Sequence, residues 1–193
     1  MNRPEPSQAG LLVAGSSLLL VVDAQERLAA AVPDIEAVVG TTRFLLDVAS
    51  LIGVPTIATE QHPEGLGPTI ATLRSGLGLI IPKLAFSALK EPVVLERILE
   101  LNIEGRRQVV ICGLEAHICV LQTAVDLIKR GSDVAIVADG VGSRRTHDRD
   151  IAFDRLARHG AQIVTADMVV YEWLERAGSD LFRRVLPLVR GRG

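Results

Sequence analysis

The stretch VVICGLEAHICVLQTAVDLIKRGSDVAIVADG, residues 109–140, decides the fold of this chain. It opens on the apolar run of Gln108–Gly113, which is typical of a strand buried on both faces of a sheet. Apolar side chains then recur at positions 118, 121, 125 and 128, the spacing of one helical face. A second apolar run covers Asp133–Asp139. The stretch therefore predicts two buried strands joined by a helix over residues 117–130.

The same alternation extends over the rest of the chain. Further strands are predicted at residues 17–23, 54–59, 79–81 and 162–166, and further helices at 34–52, 92–101, 148–159, 168–177 and 180–189. This order predicts an α/β fold, a mostly parallel sheet with helices on both faces. Because no linker or internal repeat interrupts it, we expect one domain over residues 1–193, with residues 1–10 as a loose arm.

Composition and charge exclude several classes of partner. Hydrophobic residues make up 48% of the chain and the formal net charge is −2, with both signs interspersed. No basic stripe is present, so we expect no nucleic-acid partner. The arginines between Arg183 and Arg192 predict a solvated tail. The apolar run at residues 11–22 is too short to cross a bilayer and precedes no cleavage pattern, so we expect no membrane partner.

The chain has two cysteines, Cys112 and Cys119, and they form neither a CxxC motif nor a cluster with histidine. This usage fits a reducing compartment, and we expect a cytoplasmic location. Cys112 lies inside an apolar strand and is predicted to be a core residue. Cys119 lies at the start of a helix but off its apolar face, where the positive helix end favours the thiolate. Cys119 is therefore a candidate nucleophile, with a buried or incidental thiol as the alternative.

Reactive side chains follow the carboxyl ends of the other predicted strands, where open parallel sheets bind their ligands. Asp23 ends the first strand, and Lys83 follows the third. His117 is only two residues before Cys119, a spacing that usually aims it elsewhere on a helix. Asp23 is the better candidate to take the thiol proton, and Lys83 to stabilise the thiolate. The alternatives are a capping aspartate and a solvated lysine.

Four segments resemble one known family. Residues 109–144 are similar to the core signature of the isochorismatase-like cysteine hydrolases, and LLLVVDAQERL at 18–28 is similar to their first-strand motif. TEQHPEGLGPT at 59–69 and PKLAFSAL at 82–89 resemble the branch of isochorismatase-domain-containing proteins. The resemblance covers about residues 17–175.

The resemblance implies a three-layer α/β/α fold with a six-stranded parallel sheet in the order 3-2-1-4-5-6. It also implies a catalytic triad of Asp23, Lys83 and Cys119. A cis peptide bond between Leu114 and Glu115 is implied as well, with the N–H groups of Glu115 and Cys119 as an oxyanion hole. Such a bond costs roughly 2.5–4 kcal/mol and persists only where packing or function holds it.

Beyond the triad, candidate substrate-binding residues stand near the same strand ends. They are Gln25, Glu60, Gln61, Phe86 and His117. The alternatives are surface positions for Glu60 and Gln61, core packing for Phe86 and a helix-capping role for His117. Family members are commonly oligomeric, so we expect a homo-oligomer, with an interface near Tyr171 and Trp173.

Two differences from the wider superfamily argue against particular reactions. Nicotinamidases carry an Asp-x-His…His metal set after the second strand, whereas this chain has Glu60-Gln61-His62-Pro63 without a second nearby histidine. Since a catalytic zinc site normally has three protein ligands, we expect no metal and no other cofactor. Isochorismatases that act on a vinyl ether often lack the cysteine, so Cys119 argues against that substrate.

These features predict hydrolysis of a C–N bond in a small amide through a thioester on Cys119. A non-catalytic scaffold of the same fold is one alternative. Hydrolysis of a non-amide bond, isochorismate included, is the other. The sequence does not separate these three hypotheses.

Overall fold

A computed structural model describes residues 10–192, and its centre is a six-stranded parallel sheet in the order β3-β2-β1-β4-β5-β6. The strands are β1 (Ser17–Val22), β2 (Thr56–Gln61), β3 (Leu79–Lys83), β4 (Gln108–Leu114), β5 (Asp133–Gly142) and β6 (Gln162–Val164). This confirms the predicted sheet and its strand order.

Helices cover both faces of the sheet. In chain order they are α1 (Glu26–Ala29), α2 (Ile35–Ile52), α3 (Pro63–Leu66), α4 (Ala71–Arg74), α5 (Pro92–Ile103), α6 (Leu121–Lys129), α7 (Thr146–Arg158), α8 (Ala166–Leu174) and α9 (Asp180–Arg190). Short 3₁₀ turns lie at Ala14–Ser16 and Ala88–Lys90, and a π-helical turn at Ala116–Val120 precedes α6. The packing of α5, α6 and α7 on one face and α2, α8 and α9 on the other confirms the three layers.

The position of β1 in the sheet explains why its sequence is apolar from Leu18 to Val22. Leu18, Leu20 and Val22 pack under α5, α6 and α7, whereas Leu19 and Val21 pack under α2 and α8. Alternate side chains of a strand point to opposite faces, and here both faces are covered. Every residue of β1 is therefore buried.

Strands β2 and β3 each end two residues later than the sequence predicts, whereas β1 and β6 end one and two residues earlier. β2 continues through Gln61 and β3 through Lys83, and these two residues pair across the strands. The last residues of β2 and β3 are polar, so they lack the apolar pattern by which a buried strand is recognised in a sequence. Their side chains lie in the candidate site and not in the hydrophobic core. The segment between β2 and β3, for which the sequence predicts no regular element, contains α3, which begins at Pro63, a residue well suited to a first helical turn.

The structure confirms the helix predicted at residues 180–189 but corrects the interpretation of the last arginine as part of a solvated tail. Residues 180–190 form α9, and the Arg192 guanidinium bonds to Asp139 and Asp167 and lies 4.8 Å above the Phe44 ring. Arg183, Arg184 and Arg190 are exposed, as a solvated charge run predicts, but carboxylates from β5 and α8 hold Arg192 against the fold. The predicted amino-terminal arm, apart from Gly10, lies outside the described residues.

The predicted interface residues have different environments. Trp173 is buried and its indole N–H donates to Ser17 Oγ over 2.9 Å, so this side chain belongs to the core and not to an exposed surface. Tyr171 is half exposed. Within residues 10–192, no helix has the length and apolar character needed to cross a membrane.

Candidate active site

The predicted triad lies at the point of the sheet where the strand order reverses, between β1 and β4. Asp23 follows β1 directly, Lys83 is the last residue of β3, and Cys119 lies in the π-helical turn after β4. Crevices at such a reversal are the usual ligand sites of open parallel sheets. The structure therefore brings these three residues together at one edge of the sheet.

The backbone approaches this point through unusual conformations. Gly113 has a φ of 132°, and a Cβ there would overlap the carbonyl of Val22 on the neighbouring strand. Asp23 and Glu115 both have left-handed φ values, 49° and 60°. Residues other than glycine adopt this region rarely, and they do so preferentially at functional sites.

The cis peptide bond that the resemblance implies between Leu114 and Glu115 is absent, because all peptide bonds of residues 10–192 are trans. The chain leaves β4 instead through the positive φ angles of Gly113 and Glu115. These angles redirect the backbone into the π-helical turn without a cis bond. The proposed oxyanion donors of Glu115 and Cys119 remain predictions.

The π-helical turn changes the hydrogen bonding around the nucleophile. The N–H of Ile118 donates to the Glu115 carbonyl over 2.9 Å, and the N–H of Val120 donates to the same carbonyl over 3.4 Å. In a π turn the bonds span five residues, so the pattern passes over the N–H of Cys119 as a donor to this carbonyl. That N–H is therefore a candidate donor to a substrate oxygen.

Asp23 and Lys83 form a buried ion pair. Lys83 Nζ lies 2.8 Å from Asp23 Oδ2, and both side chains are 0% exposed. The Thr59 hydroxyl donates to the other carboxylate oxygen, Oδ1, over 2.7 Å. An ammonium has three hydrogens, and those of Lys83 point to Gln61 Oε1 at 2.6 Å and to the carbonyls of Ala85 and Phe86 at 3.1 and 3.2 Å.

These contacts leave one oxygen of the Asp23 carboxylate, Oδ2, buried without a hydrogen bond. Although Lys83 Nζ is close to Asp23 Oδ2, the angles do not allow a hydrogen bond, and Oδ2 has no hydrogen-bond partner within the described residues. Buried polar atoms normally have such a partner, and an exception calls for an explanation. Asp23 Oδ2 is thus a charged acceptor with a free lone pair, which is what a general base requires.

The environment of Cys119 corrects the expectation of a ready thiolate. The residue is 4% exposed, and burial, followed by the negative charge of Asp23, raises the pKa of its thiol to about 12. The positive charge of Lys83 lowers this pKa but does not offset the other two effects. Cys119 is therefore a neutral thiol at rest, because loss of water around the sulfur outweighs the helix end. Cys112 is buried as predicted, and burial also raises the pKa of its thiol.

The side chains of Gln25 and Gln61 form hydrogen bonds to backbone groups around the site. Gln25 Oε1 accepts the backbone N–H of Gln61 over 2.7 Å, while Gln25 Nε2 donates to the carbonyls of Gln61 and Gly67. Gln61 Nε2 donates to the Leu84 carbonyl over 2.7 Å. The hydrogen bonds of Gln25 are thus all within the protein. Its predicted contact with substrate stays a prediction.

The other predicted binding residues are placed unequally. Glu60 Oε1 accepts from the N–H and hydroxyl of Thr69, so this carboxylate anchors the loop after β2. His117 Nδ1 lies 3.1 Å from Ser143 Oγ, on the β5 side of the π-helical turn. Phe86 is half exposed, and its carbonyl holds Lys83.

Two polar residues of this region were not predicted. Thr59 binds the Asp23 carboxylate, and Arg144 Nε lies 3.1 Å from the buried Glu115 carboxylate. The alternation of side chains along β2 could have indicated Thr59, because positions 59 and 61 share one face. No local signal indicates the pairing of Arg144 with Glu115, which joins residues 29 positions apart.

The structure describes no cluster of three or more His, Cys, Asp or Glu side chains arranged to hold a metal ion in residues 10–192. His62, which follows β2, is exposed. The absence of a metal from the reaction stays a prediction.

Several known proteins are similar to this chain over most of its length. Isochorismatase domain-containing protein 2 of Bos taurus is 36% identical over 94% of this chain and 86% of its own length. The solved structure described as MAR1 ribonuclease from Caenorhabditis elegans is 34% identical, with a TM-score of 0.87 over 94% of this chain and 93% of that one. The YcaC gene product of Escherichia coli, described as an octameric hydrolase of unknown specificity, is 26% identical, with a TM-score of 0.82 over 94% and 93% of the two chains.

The family model for the isochorismatase domain matches residues 17–168, which include all six strands and the three residues at their carboxyl ends. Since this match covers most of the chain, and the sheet order agrees with it, the chain belongs to the isochorismatase family of hydrolases.

Proposed function

We propose that this chain is a cysteine hydrolase that cleaves the C–N bond of a small amide without a metal ion. The observation that supports this function best is the free Asp23 Oδ2, buried beside the Cys119 thiol and paired with Lys83. A neutral thiol needs a base to remove its proton during attack, and this oxygen is available for that step.

In the first half-reaction, the sulfur of Cys119 attacks the amide carbonyl carbon while its proton passes to Asp23 Oδ2. The carbonyl oxygen becomes negative, and the backbone N–H of Cys119 donates to it. The C–N bond then breaks, and Asp23 returns the proton to the departing amine. The product of this half-reaction is a thioester on Cys119.

In the second half-reaction, Asp23 takes a proton from water, and the resulting hydroxide attacks the thioester carbonyl. The C–S bond breaks, and the sulfur recovers a proton from Asp23. The Lys83 ammonium, 2.8 Å from Asp23 Oδ2, offsets the negative charge that moves between the carboxylate and the sulfur. Bonds and protons therefore balance over the cycle.

The contacts of Glu60, near the end of β2, agree with a mechanism without metal. Glu60, which stands where the metal-binding branch has its aspartate, already accepts two bonds from Thr69. These two bonds give Glu60 Oε1 a role in anchoring the loop. We also propose a homo-oligomer, by analogy with the octameric hydrolase of E. coli, and a cytoplasmic location, in agreement with two unpaired cysteines.

The main test compares Cys119→Ser with Cys112→Ser. Cys119→Ser should lower turnover of any amide that the protein hydrolyses by at least about a thousandfold, because the nucleophile is lost. Cys112→Ser is the matched control, since this buried thiol lies outside the site, and it should keep activity. Mass spectrometry of protein quenched during turnover should locate an acyl group on Cys119. Full activity of Cys119→Ser would refute the mechanism.

A substrate panel separates the alternatives. It includes neutral amides, esters, a vinyl ether and, because the C. elegans relative is described as a ribonuclease, a short RNA. Hydrolysis of amides alone supports the proposal. If another bond is hydrolysed and this activity needs Cys119, the cysteine mechanism stands but the substrate is not an amide. If no compound of the panel is hydrolysed, the result favours a non-catalytic scaffold.

A further inference from the structure

Gln61 contacts both the cation and the nucleophile of the site. Its Oε1 accepts a hydrogen from Lys83 Nζ over 2.6 Å, and it accepts the Cys119 S–H over 3.9 Å, a distance that sulfur permits. The side chain is almost fully buried at the end of β2. No other described side chain accepts hydrogen bonds from both Lys83 and Cys119.

The orientation of the Gln61 amide is set by its neighbours. Nε2 donates to the Leu84 carbonyl over 2.7 Å, which requires N–H hydrogens on that side. Rotating the amide by half a turn would bring its NH₂ group against the Lys83 ammonium and its oxygen against a carbonyl. Only the observed orientation satisfies all partners, so an acceptor faces Lys83 and Cys119.

The Lys83 hydrogens show what this acceptor does. Gln61 Oε1 and the carbonyls of Ala85 and Phe86 take all three of them. Asp23 Oδ2 is 2.8 Å from the same nitrogen and accepts none. If Gln61 Oε1 were removed, the Lys83 ammonium would lose one of the three acceptors that set its orientation, and Asp23 Oδ2 would be the nearest free acceptor toward which it could turn.

We propose that Gln61 is a positioning residue: with the carbonyls of Ala85 and Phe86 it holds the Lys83 ammonium at an angle that does not allow a hydrogen bond to Asp23 Oδ2, and thereby keeps this oxygen free for the Cys119 proton. The inference rests on the function proposed above, because it assigns Gln61 to the same site. It replaces substrate binding as the primary role of Gln61.

Two substitutions should act on the thiol in opposite directions. Gln61→Met keeps the length of the side chain but removes the acceptor, so the thiol form loses a hydrogen bond and ionises more easily. Gln61→Glu keeps an acceptor for Lys83 but adds a negative charge beside the sulfur, so the thiol ionises less easily. A general loosening of the site would instead expose the thiol in both variants.

The experiment measures alkylation of Cys119 by iodoacetamide at fixed mildly alkaline pH, in the full chain, with circular dichroism as a check on folding. We expect Gln61→Met to react about twofold faster and Gln61→Glu at least about threefold slower than the unmodified protein. Gln162→Met and Gln162→Glu are matched controls, because Gln162 is half buried on β6 and its side chain, among residues 10–192, bonds only to the Gly10 carbonyl. Both controls should react at the unmodified rate.

Changes of opposite sign in the two Gln61 variants support the proposal. Changes of the same sign, or rates equal to those of the controls, overturn it. Where an amide substrate is hydrolysed, Gln61→Met should also lower kcat with little change in KM, because the base and not the binding is affected. Since alkylation needs no turnover, failure of the amidase proposal and failure of the Gln61 proposal give different results.

Discussion

The substitution Asp23→Asn should make Cys119 easier to ionise and at the same time abolish turnover. The asparagine keeps the size of the side chain, and its carbonyl oxygen can still accept from the Thr59 hydroxyl. The negative charge beside the sulfur is lost, while Lys83 keeps its own charge. Because the charge of Asp23 raises the pKa of Cys119 and Lys83 lowers it, this pKa should fall.

The size of the effect follows from the pKa of the buried thiol. With a pKa of about 12, Cys119 has a thiolate fraction of about 10⁻⁴ at about pH 8, against roughly one quarter for free cysteine. A more basic thiolate is intrinsically the better nucleophile, and this raises the alkylation rate by roughly 25- to 60-fold, which offsets part of the loss caused by the low thiolate fraction. Cys119 should therefore alkylate about 40- to 100-fold more slowly than free cysteine before steric shielding. Each unit by which Asp23→Asn lowers the pKa should speed alkylation about threefold.

The assay follows iodoacetamide labelling between about pH 7 and pH 10 and the ultraviolet absorbance of the thiolate at alkaline pH. In the unmodified protein the labelling rate should keep rising through this range, because the thiol remains mostly protonated. The rate for Asp23→Asn should be at least about threefold higher at each pH. Labelling of a Cys119→Ala protein measures the contribution of Cys112 and is subtracted.

One result would refute the reasoning directly. If Asp23→Asn labels no faster than the unmodified protein, the charge of Asp23 does not act on the sulfur. Full turnover by Asp23→Asn would show instead that another group removes the proton. The expected combination of faster labelling and lost turnover distinguishes a base from a residue that only supports the fold.

Three further substitutions test the architecture of the site and of the fold. Thr59→Val should lower turnover about tenfold, because Asp23 Oδ1 loses its donor, and Thr59→Ser should restore it; steady-state kinetics would show the difference. Gly113→Ala should destabilise the protein by at least about 3 kcal/mol in urea titration, because the added Cβ meets the backbone of Val22, and a change within about 0.5 kcal/mol would contradict the close approach of β4 to β1. Arg192→Ala should cost about 1 kcal/mol, less at high salt, because ion pairs to two aspartates and a contact with the Phe44 ring are lost; an unchanged melting temperature would show that the end of the chain is free.

Much of the fold was predictable from local patterns. The runs at residues 18–22 and 109–113 contain no polar side chain, which occurs when both faces of a parallel strand are covered. Helical spacing after β4 similarly located α6. The strand order came from the resemblance and not from periodicity, because hydrophobic patterns say which residues are buried and not which strands pair.

The sequence indicated which three residues lie together in the candidate site, but it did not indicate the protonation state of its cysteine. Asp23, Lys83 and Cys119 follow strands that end at one edge, so their proximity follows from the parallel sheet. The protonation state of Cys119 was predicted wrongly, because a helix end is visible in the sequence and loss of solvent around a sulfur is not.

The sequence by itself therefore determined the layers of the fold and the residues at the carboxyl edge of the sheet, since both follow from the order of apolar runs and the polar residues that end them. The tertiary structure decided which atoms are left free. Gln61 takes a Lys83 hydrogen, Thr59 takes one oxygen of Asp23, and the other oxygen remains open. Such assignments depend on distances and angles among three strands, because hydrogen bonds are short and directional.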